Sequence, residues 1–89
     1  MKLTIIPTDK AVYKNGLCYS GLNLASANIP ADVHALQWNN NAGWIEYENN
    51  VKSNEPISIL PQWANDAVTV WQQAYDAEQA AILAAQQGT

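Results

Sequence analysis

Few side chains in this sequence could do chemistry, and their spacing decides how far they could go. Cys18 is the only cysteine and His34 the only histidine. A thiolate nucleophile needs a base and a third, orienting group, and a metal site needs several His, Cys or acidic ligands at short spacings. Cys18 and His34 fall on separate predicted strands, with no such third group and no ligand cluster beside them. His34 is therefore read as a partly buried histidine bonded to backbone, and Cys18 as an inert thiol that no internal disulfide can use. Glu46 and Glu48 lie two apart on a predicted strand and so share a face. A carboxylate pair for glycoside hydrolysis needs a cleft that so small a domain barely encloses. The two are read instead as a solvated edge that resists sheet-to-sheet pairing. Glycines 16, 21, 43 and 88 are isolated, so no phosphate-cradling loop is present. The expectation is a protein without catalytic residues, cofactor or metal, and not an enzyme.

Aromatic residues are left as the main carriers of specificity. Trp38, Trp44, Trp63 and Trp71 stand with four tyrosines, and phenylalanine is absent. Trp and Tyr combine large apolar area with a hydrogen-bonding tip, which suits half-buried and interface positions. Two or three tryptophans are expected in the core. A surplus ring on the sheet face or near Trp63 would be an interface anchor.

The elements that must position these groups come in two kinds. The first two-thirds of the chain reads as short strands separated by turn residues. Leu3-Thr4-Ile5-Ile6 is a β-prone run stopped by Pro7. Ala11 to Lys14 and Leu17 to Ser20 flank Asn15-Gly16, the strongest short-range hairpin signal because both residues tolerate positive φ. The register predicted from that turn sets Lys14 opposite Leu17, Tyr13 opposite Cys18 and Val12 opposite Tyr19. Gly21 to Pro30 reads as a loop whose Leu22, Leu24 and Ile29 plug the open end of the core. Val33 to Trp38 and Trp44 to Glu48 read as a second hairpin joined by five Asn-rich residues, with Trp38 and Trp44 placed to meet across the strands. A second loop covers 49–56, followed by the short run Ile57-Ser58-Ile59-Leu60.

From Pro61 onward glycine and proline vanish until Gly88, and eight of the fourteen alanines fall between positions 64 and 85. Pro61 suits the first helical position and Gly88 the residue just past the end. About 25 helical residues span about 37 Å, more than so small a domain needs. Ala64, Ala67, Val68, Trp71, Ala74 and Tyr75 share a face fit to pack on a sheet. A second ladder, Trp63, Ala67, Val70, Ala74, Ala77, Ala81 and Ala84, follows 4-3-4-3-4-3 spacing. Two readings stay open: a helix that packs for three or four turns and then frays, or a tail packed closely on another chain.

Composition narrows the function classes. The chain has 89 residues and a net charge of −4 from eight acidic residues and four lysines, with no arginine, which argues against a phosphate-binding surface. Hydrophobic residues reach 48% against 13% charged, so ten Asn and seven Gln must supply much of the polar surface. The N-terminus lacks the apolar region of a secretory signal, and no stretch is apolar enough to span a membrane. No nucleic-acid or membrane partner is expected. The fold class expected is α+β: a small antiparallel sheet of four to five strands in residues 1–60, then one long alanine-rich helix over 61–87, partly packed on the sheet and partly available for assembly.

The run Ile29-Pro30-Ala31-Asp32-Val33-His34-Ala35-Leu36-Gln37-Trp38, followed by Gly43-Trp44-Ile45-Glu46-Tyr47, resembles small tail-associated proteins of tailed bacteriophages. Leu3 to Pro7, Val12 to Gly16 and Leu60-Pro61-Gln62-Trp63-Ala64 fit the same group. The resemblance covers nearly the whole chain and carries no catalytic residues. It implies a structural adaptor of the tail or tail fibre, made in the host cytoplasm and placed in the virion. A fibre-assembly chaperone that leaves the particle is the alternative, and a small carbohydrate-binding module stacking sugars on Trp38, Trp44 and Tyr47 is a third. Expected partners are other phage tail or fibre proteins, in a homo-oligomer or a hetero-complex. The candidate interface residues are Trp38, Trp44, Tyr47, Trp63, Val70, Ala74, Ala77, Ala81 and Ala84.

Overall fold

The computed structural model describes residues 1–50 and 52–87. Six strands, β1 (Lys2–Ile6), β2 (Ala11–Lys14), β3 (Leu17–Tyr19), β4 (Val33–Asn39), β5 (Ala42–Tyr47) and β6 (Glu55–Ile57), precede one helix, α1 (Gln62–Gln87). The strands make one sheet in the order β3-β2-β1-β4-β5-β6, with every neighbouring pair antiparallel. The class is α+β as expected, with six strands rather than four or five. The additional strand is β6, which contains Pro56 and therefore reads as loop in the sequence. Proline is tolerated there because an edge strand leaves one side of its backbone unpaired. β6 pairs with β5 from Gly43 to Ile45, so Glu46 sits just past the covered part of that strand.

The first hairpin forms in the predicted register, with Asn15 at φ 51° and Gly16 at φ 86°. The second differs from expectation. Its loop is two residues, Asn40-Asn41, because Asn40 adopts φ 61° and the strands continue to Asn39 and Ala42. Gln37 consequently faces Trp44, and Trp38 faces Gly43. Trp38 and Trp44 lie on opposite faces of the sheet and do not meet. A bulge between Val33 and Ala35 turns His34 outward, so it is exposed and not the partly buried histidine expected; its Nδ1 lies 3.5 Å from Glu48 Oε2.

Strand β1 is the centre of the sheet although it begins the chain. Both hairpin tips grip its first residues: Asn15 N–H donates to the Lys2 carbonyl at 2.8 Å, and Asn40 N–H to the Met1 carbonyl at 2.8 Å. On one face Leu3, Ile5, Val12, Leu36, Trp38 and Ile45 are buried, in the period-two alternation of half-covered strands. The helix lays Ala64, Ala67 and Trp71 on that face, with Ala27 from the 3₁₀ turn Ala25–Ala27 and the flanking Leu22, Leu24 and Ile29 filling the open end as expected. Pro61 sits one residue before the helix rather than within it: its carbonyl accepts from the N–H of Ala64 (3.0 Å) and Asn65 (3.3 Å), an N-cap role. Gly88, read as the residue past the helix end, and Val51 of the second loop lie outside the described residues.

At Gly43 the neighbouring strand's backbone comes too close to admit a side chain. A Cβ built there would fall 2.0 Å from the Gln37 carbonyl oxygen and 2.9 Å from Trp38 Cα, both main-chain atoms that cannot swing away. Gly43→Ala should therefore lower stability by at least about 2 kcal/mol, since overpacking against backbone forces the strands apart. Gly16→Ala meets open space and only the penalty of a positive φ, so it should cost about 1 kcal/mol. Urea midpoints of the two variants check the ordering.

Candidate functional site

Two surfaces are left without cover by this architecture. The first begins where the helix passes the sheet edge at β3. Trp71 is the hub: its indole N–H donates to the Leu17 carbonyl at 3.0 Å, and its ring stacks on Tyr75 with centroids 5.3 Å apart. Tyr19 meets Trp71 edge-on at 5.7 Å, and the Lys14 ammonium lies 4.9 Å from the same ring. One turn further, the Tyr19 hydroxyl donates to the Glu78 carboxylate, tying the helix to β3. From Asp76 to Gln87 every residue is exposed, and Ile82 and Leu83 keep 45% and 55% of their surface in contact with solvent. The helix is continuous to Gln87, since alanine's high propensity holds a segment that tertiary packing no longer supports.

The second surface is the sheet face away from the helix. Its middle row reads Cys18, Tyr13, Thr4, Gln37, Trp44, Pro56 as direct cross-strand partners from edge to edge. Tyr13 and Trp44 stand 40% and 44% exposed. Between them, Thr4 Oγ1 donates to Gln37 Oε1 at 2.7 Å. The Trp44 indole N–H donates to Glu46 Oε2 at 2.9 Å, fixing the ring. A hydrogen bond with Cys18 is the main cause that raises the Tyr13 phenol above its ordinary pKa.

The candidate interface residues divide among these places. Trp38 is a core residue, buried with its indole N–H on the Asn40 carbonyl at 3.0 Å, and offers no interface. Tyr47 packs against the same core, its hydroxyl on Glu55 and its ring 4.4 Å from the Lys52 ammonium. Because Trp38 and Tyr47 face the helix while Trp44 faces away, the three make no stacking platform. Trp63 is half-buried against the core, Val70 and Ala74 are half-buried on the helix, and Ala77, Ala81 and Ala84 are exposed. Ile82 and Leu83 were not singled out by the alanine ladder. Only Ile82 falls on the continuation of the sheet-facing stripe, through its spacing of seven from Tyr75.

The pairs Cys18/His34 and Glu46/Glu48 are not brought together as catalytic pairs. Cys18 on β3 and His34 on β4 are separated by β2 and β1, about 14 Å of strand spacing. Glu46 holds Trp44, whereas Glu48 lies beyond β5 and accepts from the Thr8 hydroxyl at 3.4 Å. No three His, Cys, Asp or Glu side chains among the described residues gather as metal ligands, and no described helix is long and apolar enough to cross a membrane.

The link between Tyr19 and Glu78 gives the helix exit a pH signature. Hydrogen bonding to the carboxylate pushes the Tyr19 phenol up to about 12 from its ordinary 10.0. A raised phenol pKa means the tie is intact below pH 10 and lost as pH climbs through 12. Tyr47, bonded to Glu55, is likewise pushed up to about 12. Alkaline titration followed tyrosine by tyrosine should show Tyr19 and Tyr47 ionising near 12, with Tyr13 also raised above 10.0, and Glu78→Gln should return Tyr19 towards 10. Tyr19 still ionising near 12 in that variant would exclude the Glu78 tie.

Compared with protein-family models, with curated proteins and with solved structures, the chain matches none.

Proposed function

We propose that this chain is a non-enzymatic structural protein of a bacteriophage tail or tail-fibre apparatus, docking through its β module and associating through its C-terminal helix. The observation that carries the reading is the stretch from Asp76 to Gln87, a regular helix with all twelve side chains exposed. The molecule measures 54 × 24 × 18 Å, and its radius of gyration of 14.7 Å exceeds the about 12 Å of a compact chain of this length. Twelve helical residues form a rod of about 18 Å. Its Ile82 and Leu83 each leave on the order of 1 kcal/mol of hydrophobic burial unrealised. Alanines at 77, 81 and 84 allow another helix to approach closely. The assignment to a phage tail rests on the sequence resemblance of residues 29–38, 43–47 and 60–64.

In this reading the partner is another tail or fibre protein, in a homo-oligomer or a hetero-complex, and the protein works in the virion tail after synthesis in the host cytoplasm. Asp66, Asp76 and Glu78 are the helix's only charged residues. A partner presenting neutral or basic side chains fits such a surface.

Deleting the residues after Tyr75 should leave a folded module whose near-ultraviolet spectrum retains the Trp71 cluster, while its assembly with fibre protein, followed by light scattering, falls at least tenfold. Unchanged assembly would remove the helix from the interface. In purified particles a stoichiometric band marks the protein as an adaptor. Absence from particles whose fibres still depend on it marks an assembly chaperone.

A further inference from the structure

The helix-free face of the sheet has a composition and a shape that the assembly role does not use. Tyr13, Thr4, Gln37 and Trp44 are successive cross-strand partners on β2, β1, β4 and β5. Strand spacing of about 4.8 Å puts the two exposed rings about 14 Å apart, with two shorter polar side chains between them. The result is a trough with aromatic walls and a floor of hydroxyl and amide. Its Tyr13 end opens into a cavity of about 330 Å³ bordered by Lys2, Thr4, Ile6, Tyr13 and Gln37, within the size range of small-molecule sites.

We propose that this trough binds an uncharged glycan, laid across the strands along the row from Tyr13 to Trp44. Each strand spacing is close to the length of one pyranose ring, so a short oligosaccharide spans the row with its end rings over the two aromatic side chains. An aromatic ring takes the apolar face of a pyranose, while the floor meets its hydroxyls. Thr4 donates its hydroxyl hydrogen to Gln37 Oε1, which leaves the Gln37 NH₂ donors and the Thr4 lone pairs to serve a ligand. The Trp44 ring is already held by Glu46, so less side-chain freedom is lost on binding.

Charge and polarity select the occupant. Lys2 flanks the floor on β1, Glu46 holds Trp44 and Asp9 acts on the Tyr13 phenol, so charges of both signs are scattered around the trough and no cluster of one sign recruits a strongly charged ligand. A second sheet packed face to face would bury the Thr4 and Gln37 polar atoms against apolar side chains, at a cost of about 1–3 kcal/mol for each left unsatisfied. A hydroxyl-rich ligand satisfies them instead.

The test uses the full chain, labelled for nuclear magnetic resonance and titrated with cellotriose, maltotriose and chitotriose, alongside a printed array of neutral glycans. The expected result is saturable shifts of the Gln37 side-chain amide and the Trp44 indole with at least one glycan. Trp44→Ala and Tyr13→Ala should each weaken binding at least tenfold, and Ile82→Ala on the helix should leave it unchanged. Gln37→Glu, which keeps the floor's shape, should also weaken it and serves as a second variant should an aromatic replacement disturb the fold. No binding to any titrated or printed glycan overturns the proposal. So do saturable shifts confined to residues off the row, and shifts that follow protein concentration alone, which would place a second copy on this face.

Discussion

The packing of Ala64, Ala67 and Trp71 on Leu3, Ile5 and Leu36 is the contact on which the remaining structure depends. One helix laid on one sheet can cover one face of it, and six strands at about 4.8 Å spacing offer a width of about 24 Å. The two alanines, both fully buried, bring the helix backbone down onto the strands, while the bulk of Trp71 fills the wedge beside the β2–β3 hairpin. Burying each large side chain of this layer contributes roughly 1.5–3 kcal/mol, enough that the contact fixes the helix axis. Two consequences follow from geometry. The opposite face has no helix to cover it, and a helix of about 39 Å must overrun a sheet of that width.

Order within the sheet explains why the uncovered face is a firm surface. β1 lies between β2 and β4, so Thr4 is flanked on both sides by paired strands. The start of β1 is held by Asn15 and Asn40, one from each hairpin turn, through their backbone N–H groups. The Asn15 side chain adds a third bond, accepting from the Lys2 N–H at 3.0 Å. Asparagine suits both positions because it tolerates positive φ and carries an amide that can reach nearby backbone. An N-terminal strand that would fray by itself thus becomes the sheet's axis. The floor between Tyr13 and Trp44 is built on its most constrained part.

Much of this was legible in the sequence, and the failures have identifiable physical causes. Asn15-Gly16 determined the first hairpin down to its register, because a two-residue turn with positive φ leaves the flanking pairs no freedom. The helix was legible from its two alanine stripes and from the glycine- and proline-free run between Pro61 and Gly88. The turn of the second hairpin is not legible because Asn39-Asn40-Asn41 offers several places to turn, of which the chain uses the one where Asn40 takes the positive φ. Trp44 and Tyr47 stand three apart on one strand, so alternation alone puts them on opposite faces, and the turn adds only that Trp38 lies with Tyr47 rather than with Trp44. The bulge at His34 is equally invisible to strict alternation. The row from Tyr13 to Trp44 could not be seen either, since it requires the pairing of β1 with β4 across more than thirty residues, which no local pattern encodes.

The two exposed surfaces differ in the interactions they can make. The helical rod has aliphatic residues and alanines with two carboxylates near its base, and no described lysine lies on the helix. Its last turn lacks a basic residue, so the partial negative charge of the helix C-terminus is not offset from within the chain. A partner that brings a cation to that end gains about 0.3–1 kcal/mol, a modest term whose main effect is to set orientation. The free sheet face is aromatic and hydroxyl-bearing, with only scattered charges of both signs, and answers to shape and hydrogen bonding rather than to attraction at a distance. The rod leaves from the β3 edge on the helix side of the sheet. A chain seated on the rod therefore does not compete for the opposite face, and one surface can hold the protein in an assembly while the other remains open.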